Sequence, residues 1–256
     1  MNIRLIHDNS PTAGIGIFAR FMHMLQNAVT YDMDKITFVS VSNDINPYDW
    51  IFEQEHDDSF VDVPCVFKVL YAPLSSLGGT GSLELSPELE KLKSVCTKIR
   101  IKKHISDWVD DYAKDFGDNC LGVHIRLGDM NRQHFEFGVA TTNDYGNMIR
   151  RIIKHSGVDK VFIASDNRES LFELQQRFPK QVIFVPTFIR ARKDNFETSP
   201  IHANINNPIY WEEAMKECLL LAKTNQLLCR VSNLAHAAIV LSPTITKIHR
   251  VNNPFV

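Results

Sequence analysis

The chain has no long apolar run, no closely spaced cysteine pair and no excess of one charge. Across its 256 residues no window approaches the ~18–20 apolar positions of a membrane span. The opening, Met1-Asn2-Ile3-Arg4-Leu5-Ile6-His7-Asp8, returns to charge well before the roughly 7–15 apolar residues a secretory leader needs. The five cysteines (Cys65, Cys96, Cys120, Cys218, Cys229) are odd in number and never two residues apart, which excludes a CxxC zinc cluster or redox pair. They read as buried thiols of a reducing compartment, so a soluble cytoplasmic protein without a transmembrane segment is expected. Lys plus Arg is 28 against 30 Asp plus Glu, too balanced for a protein whose main task is gripping nucleic acid. Ten histidines include no HExxH and no obvious triplet, so no metal site is expected. Repeats and low-complexity segments are absent.

What is present is an average globular composition, 44 % hydrophobic and 23 % charged, sized for one large or two small domains. Ile3 to Ile6 reads as a strand. A polar loop containing Gly14 and Gly16 follows, and then Phe18, Phe21, Met22, Met24 and Leu25 recur at helical spacing. Lys35 to Val41 reads as a second strand and Val66 to Leu70 as a third. Leu77 to Ser82 is the most glycine-rich stretch and reads as flexible. Ser86-Pro87 opens a helical region with Ser as N-cap, running to about residue 114 and broken once.

The second half alternates strand and helix. Strands are expected at Cys120 to Arg126, Lys160 to Ala164, Gln181 to Val185 and Gln226 to Val231. The helices between them are Tyr145 to Lys154, a helix capped by Ser165 or Asp166 that runs through Phe178, Trp211 to Ala222, and Leu234 to Val240. Arg190 to Pro208 has no period. This order specifies an α/β fold with parallel sheets covered by helices, a doubly wound, Rossmann-like arrangement. The expected division is 1–85 (an α/β domain), 86–117 (a helical linker) and 118–256 (a Rossmann-like domain).

In open α/β sheets, ligands bind beyond the carboxyl ends of the strands. His124 and Arg126 are two apart and point to one face of their strand, a cation pair suited to an anion, with Arg126 offering a bidentate fork. The alternative is a structural ion pair between Arg126 and Asp129. Gly128 lets main chain approach a ligand closely. Ser232 and Asn233 lead into a helix, so they cap it, cradle an anion, or both. Asp166 ends a neighbouring strand, either as a cap or as an acceptor for a nucleobase or sugar hydroxyl. Asp32-Met33-Asp34 has the DxD spelling of a metal-holding motif, but it precedes a strand instead of ending one and reads as a turn.

Leu121-Gly122-Val123-His124-Ile125-Arg126-Leu127-Gly128-Asp129 resembles the HxRxGD/HxRRxD peptide of the α1,2-, α1,6- and protein O-fucosyltransferases. Val161 to Asn167 is similar to that family's ATD(D/N) strand end. Leu219 to Lys223 with Val231 to Leu234 resembles its LLS-K…S-N/R-L/F-S segment. Gly14 to Phe18 and Trp50 to Glu53 look like the glycine/phenylalanine loop and the W-x-x-F-E stretch of bacterial members.

The resemblance implies two Rossmann-like domains in a GT-B-type arrangement, with 1–85 on the acceptor side and 118–256 holding the nucleotide sugar, and a GDP-linked sugar donor. It also implies inversion at the anomeric carbon and no metal or separate cofactor, so the partners are a nucleotide sugar and a glycan acceptor. On this resemblance Arg126 contacts the donor diphosphate and stabilises the leaving group, and His124 supports it. Ser232 and Asn233 bind phosphate oxygens, and Asp166 lies near the nucleoside. Gly128, Asp129, His202, Gly14, Gly16 and Phe18 complete the donor-binding set. Two departures bear on the donor sugar: the doubled arginine of many members is Arg126-Leu127 here, and the usual Asn of the N-terminal loop is unmatched around Ala19-Arg20.

One-step inversion calls for a base on the acceptor hydroxyl. Glu136 is the candidate, with Asp129 and His134 behind it. Rival readings are another nucleotide sugar (UDP- or GDP-linked xylose or rhamnose), a histidine-type phosphoryl hydrolase, and a non-catalytic nucleotide- or glycan-binding module. The hydrolase would need Arg-His-Gly order; the order here is His-x-Arg-x-Gly.

Overall fold

The computed structural model describes residues 2–7, 17–31, 33–40, 46–56, 59–64, 81–82, 86–127, 140–186 and 207–251. The first half holds β1 (Asn2–His7), α1 (Ile17–Ala28), β2 (Lys35–Ser40), a 3-10 turn (Pro47–Trp50) and β3 (Phe60–Pro64). These strands form a parallel sheet in the order β2-β1-β3. β4 (Gly81–Ser82), α2 (Pro87–Cys96) and α3 (Lys103–Tyr112) follow, so the expected long helical region is indeed broken once. The second half holds β5 (Cys120–Ile125), α4 (Thr142–Ser156), β6 (Lys160–Ser165), α5 (Arg168–Arg177), β7 (Val182–Ile183), α6 (Pro208–Ala222), β8 (Gln226–Cys229), α7 (Asn233–Leu241) and β9 (Lys247–Arg250).

The second sheet runs β4-β9-β8-β5-β6-β7. Its five second-half strands are parallel, as expected, and β4 adds an antiparallel edge by pairing Gly81 with Ile248 and Ser82 with Lys247. The last two residues of the stretch expected to be flexible are therefore strand.

Alternation along the buried strands sends side chains into two cores. Leu121, Val123 and Ile125 of β5, with Val161 and Ile163 of β6, pack beneath α4 and α5 on Tyr145, Ile149, Ile152, Leu171 and Leu174. Cys120, Phe162, Ala164, Leu227, Cys229 and Ile248 face the other way. There they join Leu220 and Leu221 of α6, Ala238 and Ile239 of α7, and residues of the first half such as Ile3, Leu5, Phe21 and Phe38. The two sheets thus share one core. An aromatic seam runs through it, with Trp211 at the start of α6 edge-on to Tyr48 at 5.3 Å and to Trp50 at 6.2 Å. α7 packs on α1, α2 and α6.

The helix ends follow side-chain chemistry. Ser86 caps α2 through the Leu89 N–H, with Pro87 in the first turn. Thr141 and Asp144 form a reciprocal capping box on α4, which Gly157 closes in the left-handed conformation at φ 60°. One expected cap moves. Asn167, not Ser165 or Asp166, caps α5 by accepting the Ser170 N–H at 2.9 Å. Ser165 is still paired with Ile125 in the sheet, so the chain turns later than expected.

β3 and β9 are strands that the sequence pattern does not mark, and β7 is shorter than the strand expected from Gln181 to Val185. The strand expected at Val66 to Leu70 lies outside the described residues. Asp34 stands directly before β2, at the amino edge of the first sheet, as the turn reading of Asp32-Met33-Asp34 requires; Asp32 is outside the described residues.

Candidate active site

Taken alone, the parallel strands of the second half run third-second-first-fourth-fifth across the sheet, and the direction of winding reverses between β5 and β8. A crevice opens at such a reversal, beyond the carboxyl ends of the two strands. The main chain leaves β5 through Arg126 and leaves β8 through Arg230 to Ser232. Register aligns the ends: His124 sits opposite Ala164 on one side and Cys229 on the other, and Cys229 opposite Arg250.

The structure joins two of the expected site residues directly. Ser232 Oγ and His124 Nδ1 lie 3.0 Å apart, which ties the exit of β5 to the start of α7. The same Oγ accepts the Ala235 N–H at 3.1 Å, making Ser232 the N-cap of α7, with Asn233 as the first helical residue. The N–H groups of Asn233 and Leu234 have no acceptor within the helix, as in any first turn, and they carry the positive end of its dipole.

His124 corrects an expectation. The sequence reading paired it with Arg126 as a second cation. In the structure it is buried, and desolvation, the Arg126 charge and His236 together push its pKa down to about 3. Arg126 is then the cation of the pair. It is half-buried at the carboxyl end of β5.

Asp166 neither caps a helix nor stands clear of the chain. Its Oδ1 accepts the Leu127 N–H at 3.2 Å, and its own N–H donates to the Ile125 carbonyl at 3.4 Å. The carboxylate of one strand end therefore fixes the residue that follows Arg126 on the next.

Sequence reasoning missed four further groups here. Arg230 and Arg250 are buried at the ends of β8 and β9, and the Arg250 guanidinium donates to Cys229 Sγ at 3.3 Å. His236, on α7, is buried with no hydrogen-bond partner at Nε2, and burial next to the Arg250 charge lowers its pKa to about 3. Tyr145, on α4, is fully buried against the opposite side of the β5 exit, and its hydroxyl lies by the Arg126 main chain but outside good hydrogen-bond geometry. Burial pushes the phenol pKa up, and the electrostatic neighbours of the ring are Cys229, Arg230 and Asp166. Arg230 was visible as a charge at the end of an apolar run. The others needed the fold.

Phe18, expected in the donor set, is a core residue on the first turn of α1 with 7 % exposure. Gly14, Gly16, Gly128, Asp129, His134, Glu136 and His202 lie outside the described residues, and so does any pairing of Arg126 with Asp129. Among the described residues there is no group of three metal-capable side chains, and no helix is long and apolar enough to cross a membrane.

No protein-family model and no curated protein matches the sequence. The fold does have matches among solved structures. The chain is similar to NodZ α-1,6-fucosyltransferase soaked with GDP-fucose, at TM-score 0.57 and 15 % identity, over 95 % of this chain and 94 % of that one. It is similar to fucosyltransferase NodZ from Bradyrhizobium at TM-score 0.56 and 15 % identity, over 100 % and 97 %. It is also similar to the apo form of POFUT1, at TM-score 0.50 and 10 % identity, over 93 % and 94 %. At these identities the likeness establishes the fold, the GT-B-type α/β architecture of fucosyltransferases.

Proposed function

We propose that this chain is a glycosyltransferase that moves the sugar of a GDP-linked donor, fucose in the leading reading, onto a glycan acceptor, in the cytoplasm, with inversion and without a metal. The carrying observation is the link between His124 and Ser232. It fastens a strand exit bearing Arg126 to a helix N-terminus at the switch point of the sheet, in a fold shared with a structure soaked in GDP-fucose.

The chemistry follows from where charge grows. Breaking the bond from the anomeric carbon to the diphosphate leaves negative charge on the departing phosphate and an oxocarbenium-like sugar. Arg126, the Ser232 hydroxyl and the first N–H groups of α7 are fixed donors for that charge. Each well-placed donor lowers the barrier by about 3–4 kcal/mol. Asp166 holds the β5 exit in place through Leu127. His124, buried and neutral behind Ser232, is not available to deprotonate an acceptor. That task falls to a residue between β5 and α4 in the sequence, for which Glu136 is the candidate, and Glu136→Gln is the variant that tests it.

A thermal-shift series with GDP, UDP and their sugars tests the reading, followed by an assay for GDP release with and without a glycan acceptor. GDP and GDP-fucose should raise the melting temperature while UDP does not, and release should require acceptor. Stabilisation by UDP alone transfers the reading to another nucleotide sugar. Binding without any acceptor-dependent release identifies a nucleotide-binding module instead of an enzyme.

A further inference from the structure

The hydrogen bonds around Ser232 pose a question of proton direction. A serine oxygen has one proton to give and two lone pairs. One lone pair of Ser232 Oγ is taken by the Ala235 N–H. The contact with His124 Nδ1 can run either way. If Ser232 donates to the ring, its proton is spent inside the protein, and the oxygen turns lone-pair density toward any anion at the start of α7. If the ring donates from Nδ1, both lone pairs are filled and the hydroxyl proton is free to point outward. Only the second arrangement makes Ser232 a phosphate donor.

We propose that His124 is a positioning residue that carries its proton on Nδ1, donates it to Ser232 Oγ, and so turns the Ser232 hydroxyl toward a phosphate at the N-terminus of α7. This rests on the donor-site reading given above. Two observations favour it. First, the Arg126 charge acts on the ring while Nδ1 is engaged by Ser232, and a cation near an imidazole favours the tautomer that leaves a lone pair, not an N–H, on the other nitrogen. Second, His236 Nε2, on the first turn of the same helix and electrostatically adjacent to His124, is buried without a hydrogen-bond partner. A buried polar atom left without a partner carries a desolvation cost, which a ligand at this place, directly or through water, can relieve. The depressed pKa of His124 is consistent with the arrangement, since a ring that stays neutral has a tautomer to choose.

The test uses side-chain geometry. An asparagine amide nitrogen stands close to the position of a histidine Nδ1, whereas a glutamine amide reaches the position of Nε2. Dissociation constants of the full chain for GDP and for guanosine are measured for His124→Asn, His124→Gln, His124→Leu, Ser232→Ala and the Leu/Ala double variant. His124→Leu and Ser232→Ala should each weaken GDP by about tenfold or more and leave guanosine unchanged, and the double variant should lose no more than either single. His124→Asn should restore GDP binding to within about threefold of the original, and His124→Gln should not. Additive losses, or rescue by Gln and not Asn, overturn the proposal.

The tautomer is also read directly, without ligand, by nitrogen-15 NMR of the His124 ring. A protonated Nδ1 is expected, and a protonated Nε2 refutes the assignment even where a variant fails to fold. If the unmodified chain binds no GDP, the donor reading fails while the NMR result still decides the proton's place.

Discussion

The Asp166 carboxylate at the end of β6 accepts the main-chain N–H of Leu127 at 3.2 Å, across the end of the neighbouring strand β5. The bond lies one residue beyond Arg126, where the sheet ladder has stopped and nothing else in the ladder fixes the chain. Asp166→Ala removes it and leaves a part-buried N–H unsatisfied, at a cost of about 1–2 kcal/mol. Donor turnover should fall by about tenfold or more, because Arg126 loses its fixed angle. Asp166→Asn keeps an acceptor oxygen and should retain most of both. Urea denaturation and turnover measured on the two variants separate these outcomes.

Gly122 sits in the middle of β5, against the C-terminal end of α6 and the residues that follow it. A Cβ there would stand 2.6 Å from Thr224 Oγ1 and 3.1 Å from Leu221 Cδ2. Thr224 cannot swing away cheaply, since its hydroxyl bridges the Leu221 and Gln226 carbonyls at 2.7 and 3.1 Å. β5 is pinned between β6 and β8. Gly122→Ala should therefore destabilise the protein by about 1–3 kcal/mol, the usual range for overpacking. A denaturation midpoint equal to that of the original chain would show that the helix yields.

Acid sensitivity follows from the buried histidines. His124 and His236 are held at about 3 and His249 at about 4, against an ordinary value of 6.5. As pH falls through 6.5 the unfolded chain takes up protons that the folded chain refuses until about 3 to 4. The unfolded state is then the better proton binder, so stability is complete above 6.5 and declines below it. Each histidine contributes at most about 1.4 kcal/mol per pH unit in that window. Urea midpoints should drop between pH 7 and 5, and His236→Leu, with one such group fewer, should drop less. Parallel curves for the two proteins would contradict this account.

Much of this arrangement was legible in the sequence, for identifiable reasons. The buried strands of a parallel sheet read as unbroken apolar runs, so β5, β6 and β8 were clear. β9 was not, because Lys247-Ile248-His249-Arg250 looks polar. Its burial depends on long-range partners: His249 Nε2 and Gln226 Oε1 lie 2.9 Å apart, and Arg250 lies on Cys229 Sγ. β3 was hidden by Asp62 and Pro64. Asp62 is exposed and forms a 2.9 Å ion pair with Arg4 on the adjacent strand. The residue types at the site were visible as well, but their protonation and hydrogen-bond direction were not. His124 and Arg126 stand two residues apart as potential cations, and burial together with the Arg126 charge keeps the imidazole neutral while the guanidinium stays charged.

Tyr145 separates packing from polarity in one substitution. Its hydroxyl is buried by the Arg126 main chain without a well-formed hydrogen bond, while the ring fills the core under β5. Removing the oxygen in Tyr145→Phe takes away a desolvated polar group and keeps the volume, so stability should hold or rise. A loss of more than about 1 kcal/mol would mean that the hydroxyl makes a bond in solution.

The most direct test of the central claim is donor turnover by Arg126→Ala, measured beside its melting curve. The account predicts a fall of about 10²–10³-fold, the loss expected when a donor to the departing diphosphate is removed, with a melting temperature close to that of the original chain. Turnover within about threefold of the original protein would contradict it and remove Arg126 from the reaction.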